Sequence, residues 1–297
     1  MPPARGSLRL RRVGVAALKK PLVVRRPEQL TTLTATFSVA VDLPAERKGS
    51  DLSRNAQLLA EIVDRTATRP ASGLESACSE IAAELLVRHA YARESTVHAT
   101  APYFLSRGIT EERRSLEDYL LIAEARATRG ADGSITIARS IGVEAVGMTA
   151  CPCAMEGCRE KLTAEFPLLA DPSLAGLPII THNQRNRTRL TFELPPGSEV
   201  EADEMISVVE ASQSSPTFAI LKRGDEAQVV LDAHRHPRFV EDVIREVMGG
   251  VVERFPRLPD DTIVTAETTS EESIHKYDVA AAHTATLGGL RGSPDRP

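Results

Sequence analysis

The feature that most constrains the fold is the order in which strand-forming and helix-forming segments follow one another. Residues 32–43 alternate apolar and polar side chains and are rich in Thr, Val and Phe, which predicts a strand. Two helices follow, one from Asp51 or Ser53 to Thr66 and one over residues 74–92. Three more strands, joined by short turns, are predicted at residues 95–105, 116–128 and 134–148. This order predicts an α+β fold with an antiparallel sheet rather than repeating βαβ units.

The second half of the chain partly repeats that order, without a strict repeat of sequence. The predicted elements are a strand at 187–194, a turn at 195–197, a helix at 201–212, a further segment at 216–223, a helix at 237–254 and a strand at 263–267. His234 and His236 precede Pro237, and we expect both in a loop. Residues 288–297 are rich in Gly, Arg, Ser, Pro and Asp, which predicts a flexible tail.

Length and charge restrict the class of protein. The 297 residues suggest two domains or one large one. The net charge of −5 argues against a nucleic-acid partner, which favours basic surfaces. Residues 1–24 carry only basic charges, so residues 1–12 are predicted to be a basic flexible arm. No apolar run reaches the length of about 18 residues that a membrane span needs, and we expect a cytoplasmic protein without a membrane partner.

Three of the four cysteines, Cys151, Cys153 and Cys158, fall within eight residues of each other; the fourth is Cys78. Cys151 and Cys153 are poorly placed for an ordinary disulfide, because a bridge between residues i and i+2 is strained. In a reducing cytoplasm such a cluster more often serves metal binding or catalysis than cross-linking. A Cys-x-Cys taken alone, however, more often marks two small residues packed on one face of a strand than a metal site.

Other possible metal-binding or acid–base side chains are scattered through the second half, namely His182, Glu226, Glu241, Glu272 and His275. Thiolate, imidazole and carboxylate groups together suit zinc or iron. Each residue also has an ordinary structural explanation: His182 as a turn cap, Glu226 in a solvated charge run and Glu241 at the positive end of a helix. Residue types alone therefore leave open both a metallohydrolase and a zinc-stabilised structural domain.

The same residues lie within a series of short motifs, and with these in order from Val13 to Asp278 the chain resembles the GTP cyclohydrolase IB family. The motifs are Val-Gly-Val-x-x-Leu-Lys-x-Pro at 13–21, Val-Asp-Leu-Pro at 41–44, Lys-Gly-x-x-Leu-Ser-Arg at 48–54, Cys-Pro-Cys at 151–153, His-Asn-Gln-Arg at 182–185, Ser-Val-Val-Glu-Ala-Ser at 207–212, Leu-Lys-Arg-x-Asp-Glu at 221–226, Phe-Val-Glu-Asp at 239–242 and Glu-Ser-Ile-His at 272–275. Each motif is weakly specific by itself, whereas the ordered series is strongly specific.

The resemblance implies tandem tunnelling-fold (T-fold) units, in which antiparallel sheets each carry two helices and oligomerisation completes the barrels. The expected division is an arm at 1–12, a first unit at 13–132, a second unit at 133–287 with most of the active site, and a tail at 288–297. The implied assembly is a homotetramer. The implied reaction is metal-dependent hydrolysis of GTP to formate and 7,8-dihydroneopterin triphosphate, the first step of tetrahydrofolate-type pterin biosynthesis.

The resemblance also implies residue roles. A divalent metal (Zn, Mn or Fe) is expected at Cys151, His182, Glu226, Glu272 and His275. The expected catalytic residues are Cys151, Cys153 and Glu241. The expected substrate-binding residues are Glu241, which would accept hydrogen bonds from the purine edge, and the cations Arg185, Lys48, Arg54 and Lys222, to which Arg223 is a further candidate.

Two departures from many relatives bear on the product. Asp51 stands where many relatives carry His, and residues 154–181 form a longer connection than in many bacterial members. In both respects the chain is similar to relatives that include the archaeal iron-dependent enzyme, which makes a cyclic phosphate of dihydroneopterin. A cyclic phosphate product and a non-catalytic T-fold protein that binds a purine or pterin therefore stand as alternatives.

Overall fold

A computed structural model describes residues 8–26 and 29–292, and within them nine strands and seven α-helices form an α+β fold. The strands are β1 (Leu10–Arg25), β2 (Leu30–Leu43), β3 (Glu94–Thr110), β4 (Arg113–Arg129), β5 (Ile135–Ala150), β6 (Asn183–Leu194), β7 (Ser215–Pro216), β8 (Ile263–Ser270) and β9 (Val279–Thr286). The helices are α1 (Leu52–Thr66), α2 (Leu74–Arg88), α3 (Pro152–Glu165), α4 (Ala202–Ala211), α5 (Arg223–Arg235), α6 (Val240–Arg254) and α7 (Leu287–Arg291).

The strands hydrogen-bond in the order β1-β2-β3-β4-β5-β6-β8-β9, and the short β7 pairs with β5. The pairs β1–β2, β2–β3, β5–β7 and β8–β9 are antiparallel, as predicted. β1 and β9 stand at the two ends of this order, so each has a single strand neighbour within the described part of the chain.

Contacts between Cα atoms group the chain into two compact units that interleave in sequence. The first unit comprises Met1–Tyr103, Leu120–Gly142 and Phe192–Glu199; the second comprises Phe104–Tyr119, Val143–Thr191 and Val200–Pro297. The units interleave because the long strands β3 to β6 each contribute residues to both. The predicted division of the sequence between residues 132 and 133 stays a prediction.

The core of the first unit is built from β2 and the two helices that follow it. Leu33, Ala35, Phe37, Val39 and Val41 alternate along β2 and are at most 2% exposed. Apolar residues at helical spacing on α1 and α2 are equally buried, among them Leu58, Leu59, Ile62, Ile81 and Leu85. Because each buried Leu, Ile or Phe side chain stabilises the fold by roughly 1.5–3 kcal/mol, this layer fixes both helices on the sheet.

The second unit repeats the scheme with α4 and α6. Met205 and Val209 of α4, and Val243, Val247 and Val251 of α6, are buried at helical spacing. α6 contacts α4, β8 and β9. This packing fixes the first turn of α6, whose position matters for the site described below.

The predictions for β2, α1, β3 to β6, α4, α6 and β8 are confirmed to within a few residues at most ends. The predicted second helix ends at Arg88 rather than at residue 92. There the chain leaves the helix because His89, which is fully buried, bonds Asn55 (Nε2 to Oδ1, 2.6 Å) and Tyr91 (Nδ1 to OH, 3.0 Å).

Several regular elements went unpredicted, among them α3, α5 and β9. α3 lies within the long 154–181 connection, and α5 covers most of the region around His234. The loop expected at His234 is therefore wrong: this side chain is 2% exposed, and its Nδ1 and Nε2 lie 2.7 Å and 3.1 Å from the carbonyl oxygens of Val230 and Thr181. His236 follows the end of α5. β9 was missed because its Ala, His and Thr residues are largely exposed at the edge of the sheet.

The ends of the chain are more regular than expected where they are described. Leu10–Arg12, part of the predicted arm, begin β1, in which Leu10 pairs with Leu43 at the end of β2. Gly288–Arg291, part of the predicted tail, belong to α7, which is fixed by the fully buried Leu287 and by the bond from Gly289 N–H to Thr286 Oγ1 (3.2 Å). Residues 1–7 of the arm and 293–297 of the tail lie outside the described residues.

The helices in the described ranges offer no candidate for a transmembrane span, since none combines the length and the apolar character that crossing a bilayer requires.

Asp42, in the Val-Asp-Leu-Pro motif, joins three parts of the first unit. Its Oδ1 accepts the N–H groups of Arg93 (2.7 Å) and Glu94 (2.8 Å), and its Oδ2 accepts Arg9 Nη2 (2.6 Å). Burial opposes ionisation of Asp42, but the Glu94 N–H, the Arg9 guanidinium and the Arg93 N–H outweigh it and hold the pKa of this carboxyl below its usual range.

We expect Asp42→Asn to lower the free energy of unfolding by about 2 kcal/mol at pH 7, because charge-assisted bonds to a buried carboxylate are lost. Since the folded-state pKa is depressed, the contribution is present above the unfolded value of 3.8 and is lost as the pH falls below it. Urea unfolding of both proteins at pH 7 and pH 3 checks this. A difference between them that does not shrink at pH 3 would contradict the assignment.

Candidate active site

A cavity of about 230 Å³ in the second unit collects the ends of β5, β6 and β8 and the start of α6. It is lined by Thr149, Cys151, His182, Gln184, Arg238, Phe239, Val240, Glu241, Ser270, Glu272, His275, Tyr277 and Val279. Five of the predicted site residues are in this lining: Cys151, His182, Glu241, Glu272 and His275. Residues separated by more than a hundred positions in the sequence thus meet around one small volume.

Cys151 lies at the junction between β5 and α3. Its Sγ accepts a hydrogen bond from Ala154 N–H (3.4 Å), so the thiol caps the helix, and Pro152 occupies the first helical position. Its own N–H donates to the carbonyl oxygen of His182 (3.3 Å). This backbone bond sets the thiol beside the residue that begins the approach to β6.

His182, Gln184 and Glu272 form a compact polar group on one side of the cavity. His182 Nδ1 lies 3.0 Å from Gln184 Oε1 and 3.7 Å from Glu272 Oε2, and Gln184 Nε2 donates to Glu272 Oε1 (3.0 Å). The His182 and Glu272 side chains are only 11% and 9% exposed. The group is held by β8 alongside β6, where Glu271 N–H donates to the carbonyl oxygen of Arg185 (2.9 Å).

Glu241 is the second residue of α6, so its carboxylate lies at the positively polarised end of a helix. The approach to this helix is anchored by Arg238, whose N–H donates to the carbonyl oxygen of Ala150 (3.1 Å) and whose guanidinium donates to that of Ala211 (2.9 Å). Glu241 is exposed on the cavity wall, which suits a carboxylate that accepts hydrogen bonds from a ligand.

His275 lies in the connection between β8 and β9 and is exposed. Its ring stacks on that of Tyr277, with centroids 5.0 Å apart and an interplanar angle of 10°. The stacking orients the imidazole at the mouth of the cavity, which Tyr277 also lines.

The other predicted site residues lie elsewhere. Cys153 and Glu226 are exposed and absent from the described lining of the cavity, as are Arg185 and Lys222. Lys48 and Arg54 are exposed residues of the first unit, where Arg54 Nη1 lies 3.3 Å from Asp51 Oδ2.

Some other residues of these motifs have structural roles instead. Asp225 accepts the Lys222 N–H (3.0 Å) and a bond from Arg113, which together fix the start of α5. Glu210 accepts Arg107 Nε (3.0 Å) and the hydroxyl of Tyr119. Burial and the Glu210 carboxylate raise the pKa of Tyr119, so this phenol remains a donor.

Gln184, Thr149 and Ser270 line the cavity but were not singled out from the sequence. The signal was present in β6, where Gln184, Asn186 and Thr188 are polar residues at alternate positions on the buried face. Buried polar residues on a strand face that continues with an apolar Leu190 indicate a hydrogen-bond network.

The predicted reaction requires a metal, so the side chains that line the cavity can be compared with the ligands that a divalent metal needs. In residues 8–26 and 29–292, no three His, Cys, Asp or Glu side chains are grouped closely enough to hold an ion. One thiol, two imidazoles and two carboxylates nevertheless line the same cavity. The donor set therefore fits a divalent first-row metal in its chemistry, although the side chains stand further apart than a coordination sphere requires.

Comparisons with known proteins identify the family of this chain. A family profile described as "Type I GTP cyclohydrolase folE2" matches residues 2–281. The GTP cyclohydrolase MptA of Methanosarcina barkeri is 38% identical over 295 residues, covering 96% of this chain and 92% of that protein. The GTP cyclohydrolase MptA of Methanothermobacter thermautotrophicus is 39% identical over 289 residues, covering 95% and 91%.

Two solved structures support the fold alone. The uricase from Bacillus fastidious matches with a TM-score of 0.54 at 10% identity, covering 99% of this chain and 96% of that one. The uricase from Arthrobacter globiformis matches with a TM-score of 0.53 at 10% identity, covering 95% and 94%. The predicted T-fold class is thereby confirmed. With the profile spanning almost the whole chain and the relatives aligned from end to end, the chain belongs to the family of type I GTP cyclohydrolases.

Proposed function

We propose that this chain hydrolyses GTP to formate and 7,8-dihydroneopterin triphosphate, as a member of the IB branch of its family. One water adds at C8 of the purine and opens the five-membered ring to a formamide, and a second water releases formate. The sugar then rearranges, and the ring recloses with loss of one water. The observation that carries the proposal is the meeting of Cys151, His182, Glu241, Glu272 and His275 around one cavity.

A divalent metal bound by Cys151, His182, Glu272 and His275, with Glu226 as a further predicted ligand, would supply Lewis-acid activation of the attacking water. The protein's own groups do the rest. Glu241 would accept the guanine N1–H and 2-amino N–H and so orient C8. Among the predicted catalytic residues, Cys151 is the half-buried thiol on the cavity wall and is the group proposed to hold and move a proton at the reacting carbon.

The triphosphate requires cations, for which Arg185, Lys48, Arg54 and Lys222 remain the proposed groups. The single-neighbour strands β1 and β9 support a homo-oligomer, proposed to be a tetramer, because exposed strand edges favour pairing with another chain. We further propose that the protein works in the cytoplasm.

The test is incubation of metal-stripped protein with GTP and, separately, Fe²⁺ under anaerobic conditions, Mn²⁺ or Zn²⁺. We expect formate and a pterin that becomes fluorescent on oxidation, in equal amounts. Mass spectrometry then separates the open triphosphate from a cyclic phosphate. If the protein releases no formate and forms no pterin with any of the three metals, the proposed activity is refuted.

A non-catalytic purine- or pterin-binding protein is the second candidate, favoured by the separation of the donor side chains. It predicts that GTP binds with no release of formate. Equilibrium dialysis with GTP, run beside the formate assay, distinguishes the two.

A further inference from the structure

We propose that Gln184 is a positioning residue that fixes the tautomer of His182, so that the imidazole presents the Nε2 lone pair to the metal. This inference rests on the proposed function and adds a residue to it. Gln184 is 8% exposed and lies between His182 and Glu272 on the wall of the cavity.

The orientation of the Gln184 amide follows from its neighbours. One end of the amide lies 3.0 Å from Glu272 Oε1 and 3.1 Å from Thr149 Oγ1; the other end lies 3.0 Å from His182 Nδ1. An ionised carboxylate only accepts hydrogen bonds, so the amide nitrogen must face Glu272. The amide oxygen therefore faces His182, and Nδ1 must carry the proton.

Behind Gln184, a buried network of hydroxyl and amide groups runs from the Gln184 amide nitrogen, each group donating a hydrogen bond to the next. Thr149 Oγ1 accepts from Gln184 Nε2 and lies 2.9 Å from Ser270 Oγ, which donates to Asn186 Oδ1 (2.8 Å). Asn186 in turn donates through Nδ2 to Thr188 Oγ1 (2.9 Å) and Thr268 Oγ1 (2.9 Å).

All the residues of this network are at most 8% exposed. If the Gln184 amide flipped, its oxygen would face the Glu272 carboxylate, and two buried acceptors would meet without a proton between them. The network thus holds Gln184 in one orientation from behind. A neutral imidazole with its proton on Nδ1 has its free lone pair on Nε2, and this nitrogen has no hydrogen-bond partner among the described residues. A fixed tautomer makes His182 a ready ligand through Nε2, since the group that bonds the other ring nitrogen sets which nitrogen can bind a metal.

The experiment measures binding of Co²⁺ to the metal-stripped full-length protein by competition with a chelator. Gln184→Met keeps the volume of the side chain but cannot accept the Nδ1–H bond, and we expect it to weaken Co²⁺ binding by about 10–100-fold. Gln184→Glu still accepts that bond, and we expect it to bind Co²⁺ at least about tenfold more tightly than Gln184→Met. Thr265→Val removes an exposed hydroxyl of β8 that bonds Thr284 (Oγ1 to Oγ1, 3.0 Å) and lies outside this network, and should leave binding within about twofold.

A double-mutant cycle separates positioning from general damage. In a His182→Ala background, Gln184→Met should weaken Co²⁺ binding no further, because its effect acts through His182. Circular dichroism checks folding. If Gln184→Met does not fold, Co²⁺ binding of Gln184→Glu is compared with that of Gln184 protein, both with His182 present and in the His182→Ala background. We then expect any difference in Co²⁺ binding only where His182 is present.

Equal losses for Gln184→Met and Gln184→Glu, or a Gln184→Met loss that persists without His182, would overturn the role of Gln184. A wild type that binds Co²⁺ but makes no pterin from GTP overturns the proposed function and not this inference. Failure of the wild type to bind Co²⁺ overturns both.

Discussion

Cys151→Ala should lower the rate of pterin formation from GTP by about a thousandfold or more while leaving the fold intact. The thiol lies on the cavity wall beside His182, so its loss removes the group proposed both to bind the metal and to transfer a proton. The fold should survive because Cys151 contributes one weak capping bond and lies outside the buried core. Formate release and fluorescence, with circular dichroism on the same samples, measure both effects.

Cys158→Ala is the matched control, since it removes a thiol of similar burial from the same helix, away from the cavity lining. It should retain the wild-type rate within about twofold. Cys153→Ala should lose less activity than Cys151→Ala because the Cys153 side chain is exposed and lies off the cavity wall. A Cys151→Ala protein with more than a tenth of the wild-type rate would remove this thiol from the mechanism.

The second large effect concerns recognition of the base. Glu241→Ala should lower kcat/KM for GTP by about 100–10,000-fold, because the two proposed hydrogen bonds to this carboxylate are lost, each worth roughly 1.5–3 kcal/mol. Inosine triphosphate lacks the 2-amino group and can donate only one of these bonds. Wild-type protein should therefore prefer GTP over inosine triphosphate, and Glu241→Ala should lose that preference.

Glu271→Ala is the matched control for this measurement, since it removes an exposed carboxylate next to the cavity-lining Glu272. It should keep both the rate and the preference. If Glu241→Ala discriminates between the two nucleotides as well as the wild type does, Glu241 does not bind the guanine edge.

The elements that could be predicted from the sequence are those in which buried apolar residues recur at a regular spacing. β2 and α1 were recognisable because their buried residues recur every second residue and every third or fourth residue, respectively. α5 was missed because its first four residues, Arg223 to Glu226, are all charged or Gly and because few of its later residues are buried. β9 was missed because an edge strand with little burial has no apolar alternation to detect.

The site was predictable from the sequence as a set of residue types and not as an arrangement. The motifs named Cys151, His182, Glu272 and His275, which the fold brings to one cavity, but equally named Glu226 and Cys153, which line no part of it in the described structure. Gln184 was passed over because an amide has no metal-binding or acid–base chemistry of its own. Its importance arises only from the neighbours that β6 and β8 place around it.

The helix that Cys151 caps, α3, differs from the other α-helices in the described residues in one respect: none of its residues is buried. A 14-residue helix without a packed face is marginal by itself in water. Opening of α3 would release the Ala154 N–H from the thiol without disturbing β5 or the core behind it. A change of hydrogen-bond partner at the Cys151 thiol therefore requires only the opening of α3 and leaves the stability of the domain core unaffected.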